Sequence, residues 1–325
     1  MFIYKLKELD KMKIEEFIHP DDAAALKALK SVPALPNLME KVFQYGYDEI
    51  SRSENITTNL RLSEKQMPEI YNRLPPICEK LGIPVPELYL QMSPLPNAWT
   101  SGHKRVYIVL TLGLIKKVKD DELDAVLAHE CGHILCQHVL YQTLANAVFS
   151  FGDIMTNTFV SIIGNAAMKP LKQALLLWSR ASELSADRVA CIFTPARTLS
   201  RALARMDMIP KYIIDTMNFE EWAEQGKDYE ALKKGTTINK IARWMTDTDM
   251  NYPYTPVRVY EAMKWENTAL CGLLRSKPFQ IESFFEEKLE SKGKDKPNNN
   301  GWSLQKISKN IEVDSIVSKF KGFKL

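Results

Sequence analysis

The stretch Leu127-Ala128-His129-Glu130-Cys131-Gly132-His133-Ile134-Leu135 decides how this chain is read. Its centre is an HExxH pentad. On a helix, His129 and His133 point from one face and can grip a single metal ion. Glu130 directly follows the first imidazole, where its carboxylate can reach a water at that ion. The flanks suit a buried helix. Asp120, Asp121 and Glu122 place acid at its positive end, and Ala125, Val126, Ala128 and Gly132 are small or smooth enough for close packing. The chain has only five His, and two imidazoles and a carboxylate in an apolar helix are costly to bury without partners or a metal.

Catalytic zinc takes three protein ligands and keeps a fourth position for water, so a further donor is required downstream. The segment Leu175 to Ala190 has apolar positions at helical spacing, interrupted by Glu183 and Asp187 on one face. Glu183 is the candidate third ligand. Asp187, one turn on, can accept the free ring N–H of a ligand histidine and fix its tautomer. Arg180, one turn before Glu183, could neutralise or orient these acids. Taken alone, the pair reads more simply as a solvated face with an Arg180–Glu183 surface pair. The upstream pentad, one ligand short, favours the metal reading.

With these residues in place, the chain resembles the HtpX and CAAX-prenyl-protease group of gluzincin metallopeptidases. The resemblance rests on His129-Glu130-x-x-His133, on Arg180-x-x-Glu183-x-x-Ala186-Asp187 and on Asn97-Ala98-Trp99-Thr100. It runs from about Leu60 to about Trp265. It implies a zincin-like catalytic domain in which Asn97 and Ala98 lie beside an edge strand that binds substrate backbone next to the zinc. The run Arg105 to Leu110 is rich in strand formers. A peptide adding to such an edge gains affinity from main-chain hydrogen bonds, which requires an unfolded or flexible segment. The plainer reading of Asn97 is a turn residue after Pro96.

The chain departs from the family at one place. Relatives carry a His-Pro pair with an Arg six residues after the His; here the stretch is Tyr252-Pro253-Tyr254-Thr255-Pro256-Val257-Arg258. The family His is thought to steady the oxyanion. A phenol can also donate to an oxyanion, so Tyr252 is expected to substitute, with Arg258 in the neighbourhood; the alternative is that both only pack the domain. The leading expectation is a zinc-dependent endopeptidase with one Zn2+ held by His129, His133 and Glu183, and Glu130 as base. A zinc-bound scaffold or chaperone-like peptide binder, and a non-peptidase zinc hydrolase, are the competing readings.

The fold expected is α+β and predominantly helical, with a small sheet beside the HExxH helix. Residues 1–58 read as an N-terminal helical extension, 59–275 as the metallopeptidase domain, 276–301 as a helix end and linker, and 302–325 as a tail. Within the domain, Met67 to Leu81 reads as one amphipathic helix kinked at Pro75-Pro76. Leu88 to Gln91 and Lys104 to Leu110 read as strands, and Asp121 to Leu144 as the active-site helix. Of 325 residues, 43 Lys and Arg stand against 40 Asp and Glu, a net +3. With no basic stripe, nucleic acid is not a favoured partner; the partner expected is a protein or peptide substrate. Five Cys without a CxxC pair and the lack of a secretory apolar run suggest reduced thiols and a cytoplasmic chain. Residues 139–168 carry Asp153 as their single charge. The charge-free runs on either side are shorter than the ~20 residues a span requires. A buried or membrane-apposed helical hairpin, with peripheral membrane association, is expected there ahead of true spanning.

Overall fold

Apolar side chains at alternate positions of two short runs, Leu88 and Leu90 and then Ile108 and Leu110, turn one face of a sheet toward the core. The computed structural model describes residues 14–44, 47–102, 105–150, 164–232 and 254–276. The chain divides after residue 282 into two units, and all described residues lie in the first. The sheet has strands β1 (Leu60–Arg61), β2 (Glu87–Gln91), β3 (Ala98–Ser101) and β4 (Tyr107–Thr111) in the order β1-β2-β4-β3. β2 and β4 run parallel, and the outer strands pair antiparallel to them, which leaves β3 at an edge. β4 is buried throughout. Its Tyr107 and Val109 join Tyr89 on the face opposite the main core, and burial on both faces explains its nearly continuous apolar run. The strand expected from Lys104 begins later, at Tyr107.

The rest of the described chain is helical. Three helices precede the sheet: α1 (Pro20–Lys30), α2 (Leu35–Gln44) and α3 (Tyr47–Thr58). The amphipathic run ending at Leu81 is not one kinked helix. It forms α4 (Pro68–Tyr71) and α5 (Leu74–Leu81), broken at Asn72-Arg73. Pro75 and Pro76 then fall in the first turn of α5, where a missing N–H costs nothing. After the sheet come α6 (Leu112–Ile115), α7 (Asp120–Leu135) and α8 (Val139–Ser150). Then follow α9 (Asn165–Phe193), α10 (Ala196–Met206), α11 (Lys211–Ile214), α12 (Phe219–Leu232), α13 (Thr255–Glu266) and α14 (Ala269–Ser276).

α7 is the central helix. Leu123, Val126, Leu127 and Cys131 share one buried cluster with the sheet and with Leu74, Ile77, Cys78 and Leu81 of α5. Its start is secured by Glu122, which accepts the Lys119 N–H at 2.8 Å and pairs with Arg205 at 2.5 Å. A single helix to Leu144 was expected. Instead α7 stops at Leu135, Gln137 takes a left-handed φ of 60°, and α8 starts afresh at Val139. Neither Gly nor Pro marks this break, and it re-aims His138. On its other side α7 meets α9 at Gly132, where an added Cβ would lie 3.0 Å from both Ala186 Cα and Val189 Cβ. A second buried cluster joins Leu29 of α1, Leu38 of α2, Leu144 and Val148 of α8, and Leu171, Leu175 and Trp178 of α9. The α8 part of segment 139–168 is thus packed against protein. Among the described residues no helix is long and apolar enough to cross a membrane. Tyr252 and the linker and tail beyond residue 276 lie outside the described residues.

Candidate metal centre

The two imidazoles of α7 and the carboxylate of Glu183 on α9 converge. His129 Nε2 lies 3.2 Å from His133 Nε2. Glu183 offers Oε2 at 3.3 Å from the first ring and Oε1 at 3.4 Å from the second. A tetrahedral zinc with bonds of about 2.0–2.1 Å sets its ligand atoms about 3.3–3.4 Å apart. The two nitrogens and the two carboxylate oxygens are therefore spaced closely enough to enclose a small divalent cation. His129, His133 and Glu183 are the residues that could hold a metal among those described, and all three are buried.

The chemistry of the surrounding groups fits a cation too. His129 Nδ1 donates to Asp187 Oδ1 at 2.9 Å, which directs Nε2 toward the other ligand atoms, where it can bind a cation once it gives up its proton. Arg258 of α13 grips Asp187 in a fork, Nε to Oδ2 and NH2 to Oδ1, both 2.7 Å. Its third nitrogen reaches Glu183 Oε2 at 3.2 Å. Arg258 thus supplies a guanidinium that balances the acidic pair. The sequence suggested Arg180 for that office and set Arg258 near an oxyanion.

Burial opposes charge on the Glu183 carboxyl, yet Arg258 and the two imidazoles hold it well below the usual range. Asp187 is lowered against burial, chiefly by Arg258. The His129 ring resists charge because it is buried, but hydrogen bonds to Asp187 and Glu183 raise it to about 10. Burial drives His133 down to about 4. The same acids that draw a proton to one ring would favour a metal cation among the three atoms, with proton release on binding.

Glu130 sits next to the triangle of His129, His133 and Glu183. Burial pushes its carboxyl up to about 7, against the pull of His129 and of a Thr100 hydrogen bond. Thr100 Oγ1 donates to Glu130 Oε2 at 2.6 Å. Thr100 belongs to edge strand β3, so the strand and the acid are tied together. A cleft of about 430 Å³ opens over these groups, lined among others by Asn97, Ala98, Trp99, Thr100, Glu130 and Met206. Asn97 stands at the start of β3; its Oδ1 accepts the Ala98 N–H at 2.9 Å and its carbonyl accepts Thr111 N–H at 3.0 Å. Ala98 pairs with Leu110 inside the sheet, leaving the far margin of β3 free of a strand partner among the described residues.

Three site residues escaped the sequence reading: Thr100, His138 and Asp22. Thr100 was quoted only as part of a motif. His138 lies five residues past His133, a spacing that could have been noticed among so few histidines. Nothing local pointed to Asp22, which lies 116 residues before His138. Tyr252, expected as the oxyanion donor, lies outside the described residues.

Comparison with known proteins agrees with this geometry. The family model described as Peptidase family M48 matches residues 64–262. Plastoglobule-localized metallopeptidase 48, chloroplastic, of Arabidopsis thaliana is 30% identical over 267 residues, covering 81% of this chain and 74% of that one. A protease HtpX homolog of Nostoc punctiforme is 26% identical over 230 residues, covering 63% of this chain and 76% of its own length. Among solved structures, that of S. mikatae Ste24p matches with a TM-score of 0.42 and 20% identity, covering 75% of this chain and 62% of that chain.

Proposed function

Because this chain belongs to peptidase family M48, a family of metallopeptidases, we propose that it is a zinc-dependent endopeptidase acting on unfolded or flexible protein segments. The observation that carries the reading is the convergence of two imidazole nitrogens 3.2 Å apart on the Glu183 carboxylate, one oxygen 3.3 Å from His129 and the other 3.4 Å from His133. His129, His133 and Glu183 would hold the zinc. When bound, zinc supplies Lewis acidity, which activates water and polarises a carbonyl.

The chain's own groups supply the rest. Glu130, with an ionisation near 7, accepts the proton of the attacking water and returns it to the leaving amine nitrogen. Thr100 steers that carboxylate through its 2.6 Å hydrogen bond. Asp187 and Arg258 keep His129 and Glu183 in place. The open margin of β3, beginning at Asn97 and Ala98, supports binding of an extended peptide by main-chain hydrogen bonds. Such binding reads backbone more than side chains, which suits a substrate whose strands are not already paired. The role of Tyr252 as an oxyanion donor rests on the sequence.

The test is the E130Q variant of the full chain, assayed with denatured casein beside wild type after metal analysis. Both proteins are expected to hold one zinc per chain, with cleavage by E130Q reduced at least about 100-fold. Undiminished cleavage by zinc-loaded E130Q would sink the mechanism.

A further inference from the structure

The two histidines of the pentad are supported differently. His129 leans on a carboxylate, whereas His133 leans on another imidazole. His133 Nδ1 lies 3.0 Å from His138 Nδ1, and His138 Nε2 lies 2.9 Å from Asp22 Oδ2. The same Asp22 oxygen accepts the Ser185 hydroxyl at 2.6 Å. The three linked residues are nearly inaccessible, with exposures of 1% for Asp22, 1% for His138 and 2% for His133. The His138 ring is wedged edge-on against Trp178, with centroids 5.7 Å apart.

Proton order along this row follows from donor and acceptor chemistry. An ionised carboxylate only accepts, so the proton of neutral His138 sits on Nε2 and its Nδ1 is a lone pair. His133 must then donate from Nδ1, and its Nε2 is left bare, facing His129 and Glu183. The Gln142 amide lies 3.1 Å from the same His133 nitrogen. A half-turn of that group presents its oxygen as a second acceptor there. It also gives a donor to that Gln142 oxygen, which is buried and without a partner among the described residues.

We infer that Asp22 and His138 are positioning residues for the metal centre: they hold His133 in the tautomer that can ligate, and so make helix α1 part of the site. The inference rests on the metallopeptidase reading and extends it to the N-terminal segment. Two features of the chain build the row. The left-handed Gln137 ends α7 and swings His138 back under His133, and Pro20 starts α1 so that Asp22 falls in its first turn. Burying a carboxylate this deeply is costly unless its partners are specific, which argues against incidental packing.

The experiment compares zinc affinity, by competition with a chromophoric chelator, in full-length wild type, D22N, H138A and H138N. H138A is expected to bind zinc about 10–100-fold more weakly. H138N, whose side-chain oxygen stands near the lost Nδ1 and can accept from His133, is expected to recover most of that loss. Nitrogen-15 spectra of the metal-free proteins should show His133 protonated at Nδ1 in wild type and H138N, but not in H138A. Affinities within twofold of wild type in both D22N and H138A would overturn the inference. So would equal losses in H138A and H138N, since packing alone would then account for them. If H138A fails to fold, D22N and H138N carry the decision. Failure of wild type itself to bind zinc is a separate outcome, and it would remove the metallopeptidase reading instead.

Discussion

Replacing Gly132 by Ala should harm the metal centre more than the fold. A Cβ at this position would lie 3.0 Å from Ala186 Cα, 3.0 Å from Val189 Cβ and 3.2 Å from Ala186 O. Carbon atoms rest at about 3.5–4.0 Å, so α7 and α9 must part by about 0.5–1 Å. Overpacking of this kind costs about 1–3 kcal/mol, and helix propensity returns about 1 kcal/mol on going from Gly to Ala. The net loss of stability is therefore about 0–2 kcal/mol. The ligand set is less forgiving, because metal bonds tolerate about 0.2 Å. Gly132 adjoins His133, and Ala186 lies between Glu183 and Asp187, so the displacement acts directly across the triangle. Zinc affinity of G132A should fall about 10–100-fold, the scale seen when groups supporting a ligand are disturbed. Chelator competition measures the affinity, and urea unfolding of the metal-free protein measures the stability. A G132A protein that loses more than about 3 kcal/mol yet binds zinc normally would refute the coupling of helix spacing to ligand geometry.

Two further outcomes follow from the site. In T100V, Glu130 loses the hydrogen bond that favours its charged form; its ionisation moves up from about 7, and because a base works only when ionised, the acid limb of the kcat/KM profile should shift to higher pH, whereas an unmoved or lowered limb would contradict the role. R258M strands the buried Asp187 and Glu183 carboxylates without their cation and should cost about 3–5 kcal/mol in urea unfolding, with R258K restoring charge but not the two-pronged grip and so recovering only part of the loss.

How much of this was legible beforehand depends on whether the signal was local. His129, His133 and Glu183 could be placed together because two helical repeats and a missing ligand point at each other across fifty residues. The acidic start of α7 was equally plain. The end of α7 was not, because Gln137 adopts a left-handed turn that no Gly or Pro announces, and tertiary packing rather than propensity selects it. The break before α5 was misjudged for a related reason: paired prolines were taken as a kink within a helix when they are comfortable at its start. Arg258 was set near an oxyanion, and its grip on Asp187 and Glu183 went unread because it arrives from α13, 71 residues beyond Asp187. Asp22 is 116 residues from His138, and no pattern in one chain links two residues so distant.

That late arrival of Arg258 has a consequence for biosynthesis. Ribosomes deliver the imidazoles and both acids of the centre well before the cation that neutralises them. Until α13 docks, Asp187 and Glu183 lack the guanidinium that grips them both, and burial penalises carboxylates left without such a partner. Completion of the centre therefore waits on a helix whose arginine is made 71 residues after Asp187.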